Sequence, residues 1–165
     1  MLTNLYVVRH GIAVPHGTPG IPDSQRPLTP KGEQRMKEVA RGLARLKLDL
    51  QRIVTSPLPR ARRTAEIVAR ELGLDDRLED SDALAAGAPV RAIRDWLASR
   101  PEERLMIVGH NPDFTDLVGL LLGLSTSALP FEMKKGAIAA LTAGPSGGFE
   151  LDWFATPALI RKLAG

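Results

Sequence analysis

Leu5-Tyr6-Val7-Val8 runs directly into Arg9-His10-Gly11, and the reading of this stretch decides the architecture. A short apolar run of this kind is a buried strand. It ends in a cation, an imidazole and a glycine. In an open α/β sheet ligands bind beyond the carboxyl ends of the strands, so these three residues fall where chemistry is usually done. Arg9 carries a planar fork of donors suited to an oxyanion, and His10 is a nucleophile available near neutral pH. Gly11 permits a sharp turn or a close approach to a ligand. The plainer reading is a strand that merely ends in polar residues, and three residues alone do not displace it.

Outward from this strand, apolar runs alternate with amphipathic helical patterns, the signature of an α/β fold. Ile12 to Leu28 is rich in Pro and Gly and reads as an exposed loop. Thr29 caps a helix that Pro30 opens, with Met36, Val39, Ala40, Leu43 and Leu46 on one apolar face. Arg52 to Thr55 is a second strand, followed by a helix over about Arg60 to Leu72 that buries Ala61, Ala65, Val68 and Leu72. Pro89 begins a third helix, with Val90, Ile93, Trp96 and Leu97 facing inward. Leu105 to Val108 is another strand. It leads into Gly109-His110-Asn111-Pro112, where Asn111 as cap and Pro112 at the first position start a helix through about Leu122. Ala137 to Leu141 and Phe149 to Phe154 form a hairpin with a strand running antiparallel at or near a sheet edge, and Pro157 to Leu163 closes the chain as a helix. The expected fold is a single α/β domain over residues 1–165, three-layered α/β/α around a mostly parallel sheet. The strands ending at Val8 and Val108 are expected to be neighbours.

The bulk composition excludes several functions. The 165 residues are 44% hydrophobic and 25% charged, with 22 basic against 19 acidic residues. That length suits one buried core, and that balance lacks the clustered basic face and aromatic platforms of a nucleic-acid binder. With no cysteine, disulfides, thiolate catalysis and Cys-based metal sites are excluded. Three histidines and no HExxH spacing leave no case for a metal, and no glycine-lysine loop of the Walker type is present. No secretory signal pattern stands at the N-terminus, and the apolar stretch at Leu117 to Leu124 is too short to span a bilayer. The expectation is a cytoplasmic protein with no cofactor, no nucleic-acid partner and no membrane partner.

Three strand-to-helix junctions carry matching equipment: Arg9 and His10 at the first, Ser56 to Arg60 at the second, Gly109-His110 at the third. Parallel strands bring all three to one sheet edge, where helix N-termini add N–H groups and partial positive charge. Two arginines, two histidines and helix ends describe a phosphate pocket. Taken singly, His110 reads first as a hydrogen-bonded core histidine, and Arg62 and Arg63 remain solvated helix surface. His16, in the first loop, is read as incidental.

The motifs resemble those of the histidine phosphatase superfamily (branch 1), and among them the small SixA-type phosphohistidine phosphatases. The residues that carry the resemblance are Arg9-His10-Gly11, Arg26-Pro27-Leu28-Thr29 with Gly32, Ser56-Pro57 with Arg60-Ala61 and Thr64, and Gly109-His110-Asn111-Pro112. They stand in the family's order and span most of the chain. The resemblance implies a phosphoglycerate mutase-like fold and a metal-independent phosphatase. It implies that His10 becomes transiently phosphorylated while Arg9, Arg60 and His110 bind the phosphoryl group. Arg26, Gly11 and Asn111 are implied as further substrate-binding residues.

Larger relatives place a glutamate in the loop after the second helix as general acid. Here an alanine stands beside Leu84 in that place, and Asp82, one residue away, would point to the other face of a strand. Asp23, three residues before Arg26, is the alternative acid. A weak or missing acid favours a phosphoramidate, whose imidazole leaving group needs less help than an alkoxide. Phosphohistidine on a protein is therefore the expected substrate, and a small phosphorylated metabolite is the competing one. A module that binds phosphate without turnover is the third reading, against which the intact His10 argues.

Overall fold

A computed structural model of the chain describes residues 1–125 and 129–165. Six strands form one sheet: β1 (Asn4–Arg9), β2 (Arg52–Thr55), β3 (Leu78–Asp80), β4 (Arg104–Gly109), β5 (Ile138–Ala143) and β6 (Phe149–Ala155), in the order β3-β2-β4-β1-β5-β6. The four strands from β3 to β1 are mutually parallel, whereas β5 runs antiparallel to β1 and β6 antiparallel to β5. Of the hairpin strands only β5 thus runs against the parallel set; β6, which forms the edge, points the same way as β1. The strands ending at Val8 and Val108 are neighbours, with Val8 opposite Val108.

The continuous apolar runs arise because helices cover both faces of the sheet. Val8, Ile53, Met106 and Val108 pack with Met36 and Val39 of α1 (Pro30–Arg45), Ala61 and Val68 of α2 (Pro59–Leu72), and Ile160 of α5 (Pro157–Lys162). The alternate residues Leu5, Val7, Val54, Leu105 and Ile107 pack with Ile93 and Leu97 of α3 (Val90–Ala98) and Phe114 and Leu117 of α4 (Asp113–Leu121). This is the α/β/α sandwich expected from the sequence.

Helix α1 begins as its sequence dictates: Thr29 Oγ1 accepts from the Gly32 amide, and Pro30 fills the first turn. Gly32 also lets the helix lie on the first loop, because a Cβ there would stand 2.0 Å from the Ile12 carbonyl oxygen. The apolar face of α1 stops at Leu43. Leu46 lies at the C-cap and is 39% exposed, since the chain has left the helical repeat there.

Other local expectations are corrected by longer-range contacts. Asn111 does not cap α4: the helix begins at Asp113, the Asn111–Pro112 peptide is cis, and the Asn111 amide is drawn away to donate to the Met133 carbonyl at 3.0 Å. Asp82 lies in a 3-10 turn over Asp82–Leu84 and is exposed, rather than in a strand. The preceding strand β3 is three residues long, too short for its alternation to show. The first loop is less open than its composition suggests, because Ala13 bridges Leu28 and both are buried.

Candidate active site

The parallel register that pairs Arg9 with Gly109 places the next residue of each strand, His10 and His110, side by side. Their rings lie 5.3 Å apart between centroids, and both side chains are buried. The His10 amide donates to the Gly109 carbonyl at 3.0 Å, which locks the two strand ends together.

His10 is poised by its neighbour. Its Nδ1 lies 2.7 Å from the Gly11 carbonyl oxygen. A carbonyl only accepts, so Nδ1 carries the ring proton and Nε2 holds the free lone pair. Burial, assisted by the positive charges of Arg60 and Arg9 and by His110, pushes the His10 imidazolium down to about 3, against the opposing Gly11 bond. The ring is neutral throughout the physiological range. Gly11 has a different task from the one its flexibility suggested. Its φ is not positive, its amide donates to Thr64 Oγ1 at 3.0 Å, and a Cβ there would stand 2.6 Å from Met36 Cγ. Gly11 therefore positions His10, with both of its backbone groups already engaged.

His110 is held from the second junction. Its Nε2 lies 2.7 Å from Ser56 Oγ, which also accepts from the Leu58 amide at 3.3 Å. The hydroxyl proton has no other acceptor among the described residues, so it goes to Nε2 and the His110 ring proton sits on Nδ1. Burial first and the Arg60 charge second hold His110 down at about 4. Its Nδ1, together with Nε of Arg9 and Nε of Arg60, is buried without a hydrogen-bond partner among the described residues. An unmatched buried donor costs roughly 1–3 kcal/mol, and three at one sheet edge define a place prepared for an anion. Ser56→Ala is expected to lower turnover by about tenfold to a hundredfold, with the loss of the Nδ1–H tautomer of His110 read directly by 15N NMR.

Arg9 and Arg60 come from different layers. Arg9 ends β1 and donates through Nη1 to the Met133 carbonyl at 2.7 Å. Arg60, 3% exposed, stands in the first turn of α2, where the strand-to-helix turn points it back over the sheet edge. It donates through Nη1 to the Asp23 carbonyl oxygen at 2.8 Å and through Nη2 to Asp23 Oδ2 at 3.4 Å. Arg26 reaches the same carboxylate, Nε to Oδ1 at 2.8 Å, and anchors the loop through Nη1 on the Val14 carbonyl. His16 is not incidental: its Nδ1 lies 2.9 Å from Asp23 Oδ1. The bonds from His16 and Arg26, with the charge of Arg60, hold the Asp23 carboxyl down at about 2.

The structure thus brings together His10, His110, Arg9, Arg60, Arg26 and Asp23. Asp82 is not tied to them: its exposed side chain makes no hydrogen bond or ion pair with a described residue. Asn111 lies beside the site as an anchor for Met133. Residues that sequence reasoning passed over are His16, the Met133 carbonyl and Thr115, whose Oγ1 accepts from the Met133 amide at 3.2 Å. No local signal in the sequence points to these contacts, and those of Met133 join residues distant along the chain. No metal-ligating group of three His, Asp or Glu exists among the described residues, and no described helix is long and apolar enough to cross a membrane.

The depressed histidines set a pH dependence. An unfolded histidine titrates near 6.5, so acidification protonates the unfolded chain before the folded one. Stability attributable to these rings is fully present above about 6.5 and is lost as pH falls towards about 4 for His110 and about 3 for His10. The slope is about 1.4 kcal/mol per pH unit for each ring. Tm measured between neutral and acid pH is expected to fall across this window, and to fall less steeply in His110→Asn.

Comparison with known proteins follows the same lines. The sequence model of the histidine phosphatase superfamily (branch 1) matches residues 5–85. Over 144 residues the chain is 38% identical to an uncharacterised protein of Picosynechococcus sp., covering 85% of each. Over 161 residues it is 28% identical to the phosphohistidine phosphatase SixA of Escherichia coli strain K12, covering 95% of this chain and 96% of SixA. A solved structure of the protein histidine phosphatase SixA complexed with tungstate superposes with a TM-score of 0.82 at 26% identity, covering 95% of this chain and 99% of that one.

Proposed function

The chain belongs to the histidine phosphatase superfamily (branch 1), and from that premise we propose that it dephosphorylates phosphohistidine on a protein, with His10 as the covalent nucleophile. As a family member it is a metal-independent phosphatase that works through a phosphorylated enzyme histidine. We read residues 1–165 as one catalytic domain acting in the cytoplasm.

In the proposed reaction His10 Nε2 forms a bond to phosphorus as the bond from phosphorus to the target imidazole breaks, its electron pair leaving with that ring. Arg9, Arg60 and His110 Nδ1–H stabilise charge on the equatorial oxygens. The tungstate bound by SixA is a tetrahedral oxyanion of the kind such donors fit. Because the Gly11 carbonyl keeps a proton on His10 Nδ1, the same ring departs as neutral imidazole when water attacks the phosphoenzyme. One bond serves both half-reactions.

The observation that carries the substrate assignment is the state of Asp23. Both of its carboxylate oxygens are engaged, Oδ1 by His16 Nδ1 and Arg26 Nε and Oδ2 by Arg60 Nη2, and these partners favour the ionised form, which has no proton to give an alkoxide. A phosphoramidate that leaves as imidazole needs none. The test compares kcat/KM for a phosphohistidine-bearing carrier protein with that for a panel of small phosphomonoesters. Faster turnover of the carrier protein supports the reading. Faster turnover of any small ester overturns it in favour of a metabolite phosphatase, and binding of the carrier without phosphate release overturns it in favour of a binding module.

A further inference from the structure

A cleft of about 360 Å³ opens beside Arg9, bounded by Asn111, Thr115, Asp116, Phe131 and Glu132. It shares Arg9 and Asn111 with the edge of the phosphate site, yet its rim has the opposite electrostatic character. Asp116 makes no side-chain hydrogen bond or ion pair with a described residue. Glu132 is 79% exposed and only loosely paired, its Oε1 3.9 Å from Arg9 Nη1. Two carboxylates at the mouth of an oxyanion site repel every plain phosphate. They make sense if the group attached to the phosphate is itself a cation.

The cleft is built rather than incidental. Its Phe131–Glu132 wall leads into a segment pinned at two points: the Met133 carbonyl accepts from Arg9 and Asn111 and its amide donates to Thr115, and the Gly136 amide lies 3.0 Å from both the Arg9 and His10 carbonyl oxygens. Phe131 is further set by the ring of Phe154, 5.6 Å away between centroids. An aromatic ring flanked by carboxylates suits a flat cation, which gains both from the π-face and from the charges.

We propose that this cleft seats the protonated imidazole of the target phosphohistidine, with Phe131 against the ring and Asp116 and Glu132 facing its charge. The proposal rests on the phosphohistidine reading above. The carboxylates hold the ring in its protonated form. When His10 Nε2 takes the phosphoryl group, the ring nitrogen receives the electron pair of the broken bond and leaves as neutral imidazole, its proton retained on the other nitrogen. The cleft thereby does the work of the general acid that Asp23, ionised, does not provide.

The test uses the full chain, Asp116→Asn and Phe131→Ala. Asp116→Asn keeps its volume and has no partner to lose, so it reports even if Phe131→Ala, deprived of its Phe154 contact, folds poorly. For each, kcat/KM is measured on a phosphohistidine peptide and on phosphoramidate, whose leaving ammonia has no ring, and imidazole is titrated by NMR. The ratio of peptide to phosphoramidate turnover is expected to fall about tenfold or more in each variant, the scale of one charge or cation–π contact. Imidazole is expected to shift Phe131 and Asp116 resonances saturably. An unchanged ratio in Asp116→Asn, or no imidazole shift at the cleft, overturns the proposal while leaving the phosphohistidine reading intact. Saturable imidazole binding with no peptide turnover in the wild type upholds the ring site and overturns that reading instead.

Discussion

Replacing His10 by alanine is expected to remove the phosphoenzyme altogether and to lower turnover by about 10⁴-fold or more, as loss of a covalent nucleophile does elsewhere. The backbone bond from His10 to Gly109 survives the substitution, so the strand ends stay joined and the variant is expected to fold. Rapid-quench trapping with a phosphohistidine-bearing carrier protein reads the result directly. Wild type should show an acid-labile, alkali-stable phosphoryl group on His10, formed and discharged at the turnover rate. A phosphoenzyme in His10→Ala, or turnover near that of the wild type, would place the nucleophile elsewhere.

Arg60→Ala is the second large effect. Removing one preorganised donor to a developing oxyanion costs about 2.7–4 kcal/mol of barrier, or roughly 10²–10³ in kcat. Arg60 is the more demanding of the two arginines to replace, because its buried guanidinium also fixes the first loop through the Asp23 backbone. Arg60→Lys separates the two roles. It keeps the charge but loses the fork, so it should recover loop order and only part of the rate. Steady-state kinetics with circular dichroism for each variant decides between a lost donor and a lost fold: a kcat loss well under tenfold in folded Arg60→Ala would remove Arg60 from the phosphoryl pocket.

The parts of the molecule that were legible in the sequence are those set by local rules. β1, β2 and β4 announced themselves because both faces of each are buried, and α1 because Thr29, Pro30 and Gly32 spell out its first turn. The convergence of Arg9, His10, Arg60 and His110 followed from parallel topology alone. Asn111 was misread because a residue before proline at a helix start looks like a cap, while its real partner, Met133, lies 22 positions on. The Arg9 anchor on the same carbonyl spans 124 positions, which no window of sequence can contain. Asp82 was placed in a strand for a different reason. Its neighbourhood is a three-residue strand and a 3-10 turn, and neither carries a period from which a side-chain direction can be read. The tautomers of His10 and His110 depend on a carbonyl and a hydroxyl, and so on geometry rather than on residue type.

The carboxylate that the first loop lays on Arg60 and Arg26 has a consequence for traffic through the pocket. Two guanidiniums left facing each other would push apart, and Arg26 does press on the ionisation of Arg60. Asp23 offsets that repulsion: its carboxylate accepts from Arg26 Nε and from Arg60 Nη2, so both guanidiniums are held towards one point. A phosphoryl group that engaged both arginines through these same donors would exchange one anion for another rather than add charge to bare cations.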